Sequence, residues 1–204
     1  MMECKKALID ASGDMDKAVK ILSELGLAKV AKKAGRIAAE GIIGTYSHMG
    51  GKLVGMAEIN CETDFAAKNP KFVEFAKDMA MQAVASNPLV VSREELSAEY
   101  IAEQKALFAA QLTNDPKFAG KPQNVIDNII EGKLNKHFEE VCLVDQAFIK
   151  DPDKKVKDLI NDLTLVIGEK ITIRRFVRWE VGEGLEKRQD DFAAEVAAQA
   201  GGNV

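Results

Sequence analysis

The sequence predicts an α+β fold, in which a small antiparallel sheet packs on helices and a helical hairpin projects from the core. Three features indicate this class. Two extended runs flank Gly50-Gly51, two amphipathic helical segments are joined by a short polar loop, and an alternating run extends from Ile171 to Val181. Extended runs around a pair of glycines are typical of a β-hairpin, and helices joined by a short loop pack as an antiparallel pair.

Composition and charge narrow the class of protein. The 204 residues are 47% hydrophobic and 29% charged, and 28 Lys and Arg against 32 Asp and Glu give a formal charge of −4. A mildly acidic chain is not built to coat nucleic acid. The sequence has no apolar run long enough to cross a membrane and no signal peptide. Cys4, Cys61 and Cys142 are odd in number and widely spaced, which argues against disulfides or zinc and favours a reducing, cytoplasmic location.

Residues 1–26 predict a small helical module, and residues 27–39 a basic helix or linker. Gly13-Asp14 separates two short helices, Asp14 is expected to cap the second, and Gly26 is expected to end it. One face of the second helix is expected to carry Val19, Leu22 and Leu25. Two helices this short can hardly bury a core of their own, so the module needs a partner.

Residues 40–181 are predicted to form the core. Strands are expected at 42–46 and 53–59, and a helix is expected to begin at Pro70 and end at Asn87-Pro88. A capping box is predicted at Ser92–Glu95, and a later helix is expected to follow Pro152 and end at Gly168. In the last strand, alternation places one set of residues on a single side of the sheet: Ile171, Ile173, Arg175, Val177, Trp179 and Val181.

The helical hairpin is predicted at about 97–140, and a C-terminal module at 182–204. Within the hairpin, Tyr100, Ile101, Leu107, Phe108 and Leu112 mark the first helix, and Ile126, Ile130, Leu134 and Phe138 the second. Both sets recur at helical spacing, and the turn residues between them lie at 113–122. A short amphipathic helix is expected at 190–199.

The sequence contains no pattern that predicts catalysis. His48 and His137 are each isolated from any Cys or Ser motif, and His137 is expected on a helix surface. Gly50-Gly51-Lys52 is too short for a phosphate loop. The Lys29–Arg36 stretch could contact RNA, although it has no interleaved aromatic residues on which bases could stack.

The segment at 60–69 stands out, because it is polar and yet carries Phe65 at its centre. One interpretation is structural: Asp64 caps a helix, and Phe65 packs on that helix as a hydrophobic staple. The other interpretation is functional: Phe65 is presented to a partner. The residues alone leave both open.

Motifs spread along the chain give a specific resemblance to the elongation factor Ts family. The matching segments are Met2-Glu3-Cys4-Lys5-Lys6-Ala7-Leu8, Ala31-Lys32-Lys33-Ala34-Gly35, Asn60-Cys61-Glu62-Thr63-Asp64-Phe65, Glu131-Gly132-Lys133-Leu134, Glu180-Val181-Gly182-Glu183-Gly184-Leu185-Glu186-Lys187 and Asp191-Phe192-Ala193-Ala194-Glu195-Val196. Each is weak alone, but they span nearly the whole chain in the order that the family has.

The resemblance implies a translation elongation factor that promotes GDP release from elongation factor Tu, and not an enzyme. The family's Thr-Asp-Phe-Val motif helps to displace the magnesium ion of that GTPase, and Thr63, Asp64, Phe65 and Ala66 occupy its positions here. Ala66 departs from the usual valine, so a contact at that position is expected to be weaker. No cofactor and no metal is expected in this chain, and neither nucleic acid nor membrane is expected as a partner.

The resemblance also implies a short form with one core subdomain. Many relatives carry two, so this chain is expected to form a homodimer that rebuilds a two-lobed core through its sheets and engages two GTPase molecules. The N-terminal module resembles a UBA-like module that is truncated, or whose start is placed too late. Two alternatives are an RNA-binding module and a purely structural scaffold or dimerisation protein.

Overall fold

A three-stranded antiparallel sheet lies at the centre of the computed structural model, which describes residues 2–113, 118 and 121–186. The strands are β1 (Glu40–His48), β2 (Leu53–Cys61) and β5 (Thr172–Glu180), with β2 in the middle. The β1–β2 connection is a short 3-10 turn, Met49–Gly51, in which both glycines have positive φ. The predicted β-hairpin and final strand are therefore confirmed.

Helix α4 (Pro70–Ser86) covers one face of this sheet at close range. Proline occupies its first turn and Asn87 ends it in the left-handed conformation, as the sequence predicts. Gly44 and Gly55 permit the close approach, because a Cβ at these positions would lie 2.0 Å from the Ala76 carbonyl oxygen and 2.5 Å from a Val84 methyl group, respectively. The sheet and the helix therefore enclose a core that includes Ile59, Phe72, Met79, Leu143 and Val156.

The predicted alternation of β5 is wrong beyond Ile173, because a β-bulge reverses it. Ile173 pairs with Ile59 and Arg175 pairs with Glu58, so Arg174 is an extra residue in the strand. A bulge moves every later side chain to the opposite face. Val177 and Trp179 consequently lie on the open face of the sheet, whereas Phe176 packs against the core.

Helix α7 (Val156–Ile167) completes the core, and Gly168 ends it in the left-handed conformation as predicted. Two short strands, β3 (Ala147–Phe148) and β4 (Asp151–Lys155), precede α7 as a separate antiparallel pair. The predicted capping box at Ser92–Glu95 is wrong. This segment forms a 3-10 turn in which the Ser92 side chain caps no backbone N–H, and the Glu95 carboxylate instead accepts from the Val91 N–H.

Helices α5 (Ala98–Thr113) and α6 (Gln123–Val141) form the predicted helical hairpin. They are antiparallel, since Tyr100 meets His137 while Phe108 lies near Lys133. His137 is not a simple surface histidine, because it is half-buried and its Nε2 lies 2.7 Å from the Tyr100 hydroxyl oxygen. The hairpin has its own apolar cluster, formed by Leu96, Leu134, Phe138 and Cys142.

The N-terminal module differs from its prediction in where its second helix ends. Helices α1 (Met2–Asp10) and α2 (Met15–Ala31) pack together, and Asp14 caps α2 as expected. Helix α2 continues through Gly26, which faces Leu165 of α7 at a distance that leaves little room for a side chain. A glycine inside a helix is tolerated where it permits close packing, and this is why Gly26 does not end the helix here.

The face of α2 that meets α1 also differs from the predicted one. Ala18, Ile21 and Leu22 pack against Ala7 and Ala11, whereas Val19 and Leu25 are exposed. The small core consists mainly of alanines, as two short helices would allow. The predicted helix at 190–199 and most of the hairpin loop at 113–122 lie outside the described residues.

A buried carboxylate connects α7 with the segment that leads into the hairpin. The Asp145 side chain is 7% exposed, and its oxygens lie 2.5 Å from Arg93 Nε and 3.2 Å from Lys157 Nζ. Burial works to raise the pKa of Asp145, but hydrogen bonds from Arg93 and Lys157 outweigh it and lower the pKa below its ordinary value. Asp145 is therefore ionised and stabilising at neutral pH.

We expect Asp145→Asn to lower the free energy of unfolding at neutral pH by about 2 kcal/mol, because both charge-assisted hydrogen bonds lose their anionic acceptor. A carboxyl whose pKa is lowered by folding stabilises the protein above its unfolded pKa, and this stabilisation is lost as the pH falls through the folded pKa. The difference between variant and wild type should therefore shrink below pH 3.8, the group's ordinary pKa. Urea unfolding across pH 3–7 measures this difference in stability.

Glu139→Gln, which breaks an exposed ion pair with Lys155, is the control and should change stability by less than about 1 kcal/mol.

Candidate functional site

The segment singled out in the sequence forms a single helical turn between the sheet and α4. Strand β2 ends at Cys61, helix α3 covers only Asp64–Ala67, and α4 begins at Pro70. Thr63 is the N-cap of α3, since its side-chain oxygen accepts from the Ala66 N–H at 3.2 Å. Asn69 caps α4 in the same manner through the Lys71 N–H. The turn therefore lies between its own N-cap and the N-cap of the next helix.

Of the four predicted site residues, Thr63, Asp64 and Phe65 are exposed and Ala66 is buried. Phe65 is 83% exposed, and the Asp64 side chain is 70% exposed. Ala66 is 4% exposed and faces the core, and Thr63 serves as the cap. The structural interpretation of the segment is thus wrong on both points, because the cap is Thr63 and not Asp64, and Phe65 does not pack on the helix.

Glu62 and Thr63, which form the stem of this turn, are hydrogen-bonded to the loop that follows α7. Both oxygens of the Glu169 carboxylate are used: one accepts from the backbone N–H groups of Glu62 and Thr63 at 3.1 and 3.0 Å, and the other accepts from the Thr63 hydroxyl at 2.7 Å. In return, the Glu62 carboxylate accepts from the Lys170 N–H at 2.6 Å. The two segments are therefore joined by hydrogen bonds in both directions.

The charges around the turn favour ionised carboxylates at neutral pH. A hydrogen bond from Lys68, whose Nζ lies 2.8 Å from Asp64 Oδ2, lowers the pKa of Asp64. The backbone N–H of Lys170, and then the Arg36 guanidinium, lower the pKa of Glu62. Phe65 is consequently presented beside a fixed negative charge on Asp64.

Two of the three cysteines are buried. Cys61 ends β2, and its thiol donates to the Thr63 carbonyl at 3.2 Å. Burial raises the pKa of the Cys61 thiol, and it raises that of Cys142 to about 11. Protonated thiols of this kind are poor nucleophiles. Cys4 is exposed.

Sequence reasoning missed Glu169, which holds the turn. A lone carboxylate after the Gly168 helix end carries no signal at short range, because its partners lie 106 and 107 positions earlier in the chain. Over the described residues there is no group of three or more His, Cys, Asp or Glu side chains that could hold a metal ion. In the same part of the chain, none of the helices is long and apolar enough to cross a membrane.

These features define a class of protein: an α+β protein that displays an aromatic side chain beside an acidic one on a capped turn. Comparison with known sequences then gives the family. The model of the family described as elongation factor TS matches residues 11–183. The chain is 56% identical over 199 residues to elongation factor Ts of Desulforamulus reducens, covering 98% of this chain and 90% of that protein.

Other relatives agree with this result. Elongation factor Ts of Acetivibrio thermocellus is 52% identical over 202 residues, covering 99% of this chain and 92% of the relative. Elongation factor Ts of Geobacter sulfurreducens is 49% identical over 201 residues, covering 98% and 91%. The chain belongs to the elongation factor Ts family. This confirms the predicted resemblance and, with it, the expected function of a translation elongation factor that exchanges nucleotide on elongation factor Tu.

The division of the turn into exposed and structural residues can be tested by stability. We expect Phe65→Ala to change the free energy of unfolding by less than about 0.5 kcal/mol, because the ring contributes little burial. Thr63→Ala should cost about 1 kcal/mol or more, because it removes the cap of α3. Chemical denaturation of both variants measures the difference, and a cost for Phe65→Ala equal to that for Thr63→Ala would contradict the assignment.

Proposed function

We propose that Phe65 and Asp64 are the residues that act on elongation factor Tu, and that they weaken GDP binding by disturbing the magnesium ion of that GTPase. The observation that supports this proposal is the 83% exposure of Phe65 on a turn whose N-terminal end is capped by Thr63. Transfer of this ring from water into an apolar pocket of a partner would be favourable. Because Mg²⁺ bridges protein and nucleotide oxygens, a shift of its ligands weakens nucleotide binding.

Phe65 and Asp64 have different tasks in this proposal. Phe65 enters an apolar pocket of the partner, and Asp64 brings a carboxylate close to the cation and the phosphates. Thr63 and Ala66 support the turn, Thr63 as its N-cap and Ala66 through its buried methyl group. The departure at Ala66 from the valine usual in the family therefore affects packing beneath the turn rather than the contact itself, since Ala66 is buried.

The energetics require more than one contact. Burying Phe65 in a partner returns about 1.5–3 kcal/mol. A preference of about 10⁴-fold for the nucleotide-free GTPase corresponds to about 5.5 kcal/mol. The remainder is assigned to the N-terminal module and the C-terminal segment 182–204. In the N-terminal part, Val19, Leu27 and Ile37 are more than half exposed, which leaves apolar surface for a partner.

The exposed basic residues are not needed for this proposal. Lys29 forms an ion pair with Glu3, and Arg36 lies 3.3 Å from Glu62. Part of the charge that favours RNA binding is therefore neutralised within the chain. Since the proposed activity is binding to another protein, no chemical bond is made or broken by this chain. Its proposed place of action is the cytoplasm.

Exchange can be measured directly on elongation factor Tu loaded with a fluorescent GDP. We expect the wild-type chain to accelerate release, and Phe65→Ala to lose most of that acceleration while its unfolding midpoint stays unchanged. The physical reason is that the ring is solvated in the free chain, so its burial is gained only in the complex. Release that is equally fast with Phe65→Ala would remove Phe65 from the mechanism.

A matched control separates Phe65 from other exposed apolar groups. Leu185, 73% exposed near the end of the described residues, and Met49, 67% exposed at the β1–β2 turn, are similarly accessible. Met49→Ala lies at the far end of the hairpin from Phe65 and should leave the release rate within about twofold of wild type, the range expected of a surface substitution. If the wild-type chain does not accelerate GDP release, the proposed function itself is contradicted.

We also propose that two copies of the chain associate through the open face of the sheet. This face, opposite α4, carries Ile43 and Trp179, each 61% exposed, together with Met56 and Val177. A shallow cavity of about 220 Å³ is lined by Ile43, Met56, Val177 and neighbouring charged residues. Large exposed apolar patches on soluble proteins are typical of interfaces.

The size of this face sets a limit on the strength of the dimer. Three nine-residue strands, spaced about 4.8 Å apart with about 3.4 Å per residue, cover roughly 400 Å². A standard interface buries about 800 Å² per partner, so the sheet alone accounts for roughly half of it. Contacts outside the sheet must therefore contribute to the homodimer, and each copy retains its own Phe65 for one GTPase molecule.

Light scattering after size exclusion tests this association. At micromolar concentration we expect a mass of twice 22.2 kDa for the wild type and a shift toward 22.2 kDa for Ile43→Glu, because a buried charge without a partner is costly. Leu89→Glu, at a residue of similar exposure after α4, should remain dimeric. A monomeric wild type would contradict the homodimer.

A further inference from the structure

We infer that Glu169 is a positioning residue for nucleotide exchange, which holds the Thr63 stem so that Asp64 and Phe65 are presented in one orientation. This inference rests on the proposed role of Phe65. It adds a residue outside the motif, on a different element and more than 100 positions away in the chain. Glu169 does not need to touch the partner to exert this effect.

The geometry concentrates three hydrogen bonds on the two residues before the exposed pair. One Glu169 oxygen accepts from the Glu62 and Thr63 N–H groups, and the other accepts from the Thr63 hydroxyl. The Thr63 hydroxyl oxygen in turn accepts from the Ala66 N–H, which closes the helical turn. A chain of bonds therefore runs from Glu169 through Thr63 to the residue that follows Phe65.

The turn depends on this support because it has little stability of its own. Helix α3 contains four residues, and a helix that short does not form unaided in water. Phe65 is mostly solvated, so its ring cannot fix the orientation of its own backbone. The position of the ring is consequently set by the stem, where the Glu169 carboxylate supplies the only side-chain acceptor that the described residues offer to the N–H groups of Glu62 and Thr63.

A hydrogen bond in the opposite direction, from the Lys170 N–H to the Glu62 carboxylate, makes the connection between the two segments rigid. The Glu62 carboxylate accepts from the Lys170 N–H, so the end of β2 and the start of β5 hold each other on both sides. Lys170 also donates from its Nζ to the Arg36 carbonyl at 2.9 Å, and Arg36 reaches the Glu62 carboxylate. The Arg36 pair is half-exposed and contributes little, so Glu169 is the member of this group with the largest expected effect.

A positioning residue and a merely structural one differ in what their loss changes. If Glu169 only stabilised the fold, Glu169→Ala would lower the melting temperature and leave exchange by the folded fraction unchanged. If Glu169 orients the exposed pair, the complex still forms through the other contacts, but the ring no longer enters at the correct position. Misplacement of a functional group by about 1 Å can reduce a rate by about a hundredfold.

The test measures GDP release from elongation factor Tu over a range of concentrations of the full chain, and separates the maximum rate from the half-saturating concentration. For Glu169→Ala we expect the maximum rate to fall by about tenfold or more, with a change of less than about threefold in the half-saturating concentration. Glu169→Gln, which retains one acceptor oxygen for the backbone N–H groups, should recover part of the rate. Glu139→Gln is the control and should behave as wild type.

Amide hydrogen exchange in the free chain provides a second measurement that does not involve the partner. In Glu169→Ala the amides of Glu62 and Thr63 should exchange at least about tenfold faster, because their acceptor is lost, while those of α4 should remain protected. A normal maximum rate for Glu169→Ala, or unchanged exchange at Glu62 and Thr63, would overturn the inference. If the wild-type chain fails to accelerate GDP release, the proposed function is contradicted. If the wild-type chain accelerates release and Glu169→Ala does so equally well, the function stands and the role of Glu169 does not.

Discussion

The structure depends on one constraint: an aromatic side chain that remains in water can be oriented only by the backbone that carries it. Phe65 is 83% exposed, so its own contacts cannot fix it. The stem, Glu62 and Thr63, fixes the orientation of the turn. It does so through three hydrogen bonds to the Glu169 carboxylate and through the Thr63 cap that closes the turn. Hydrogen bonds to an ionised acceptor are stronger than those between neutral groups, and this suits a short element that must resist distortion.

The core of the molecule places this stem where it can be held. Glycines at positions 44 and 55 let α4 lie directly on the sheet, and Phe72 near the start of α4 is buried in the same core as Ile59 near the end of β2. The α7–β5 connection then comes alongside, since β5 pairs with β2 and Thr172 lies opposite Asn60. The central strand and its two neighbours therefore determine where the exposed pair is located, although none of the residues in the sheet belongs to the motif.

Features that depend on neighbouring residues could be predicted from the sequence, and features that depend on distant ones could not. The Gly50-Gly51 hairpin, the helix starting at Pro70 and the end of α7 at Gly168 all follow from local conformational preferences. The bulge at Arg174 could not be predicted, because an alternating run looks the same with or without an extra residue until its partner strand is known. The helix end predicted at Gly26 was wrong for a related reason, because the role of Gly26 depends on Leu165 of another helix. At the site, the motif residues were recognised by resemblance, but their division into exposed and structural members required the fold.

The arrangement also explains how a small factor can combine several weak contacts. One aromatic side chain supplies less than the preference that an exchange factor needs, so binding energy from elsewhere must reach the nucleotide site. Under the proposed role of Phe65, a turn held by Glu169 would let energy gained by the N-terminal module or the C-terminal segment position the ring. Arg36 lies in the segment between α2 and β1, and it contacts both Glu62 and Lys170 at the base of the turn. Helix α2 also packs on α7 where Gly26 faces Leu165, and Glu169 follows the end of α7, so the N-terminal module and the exposed pair are attached to the same helix.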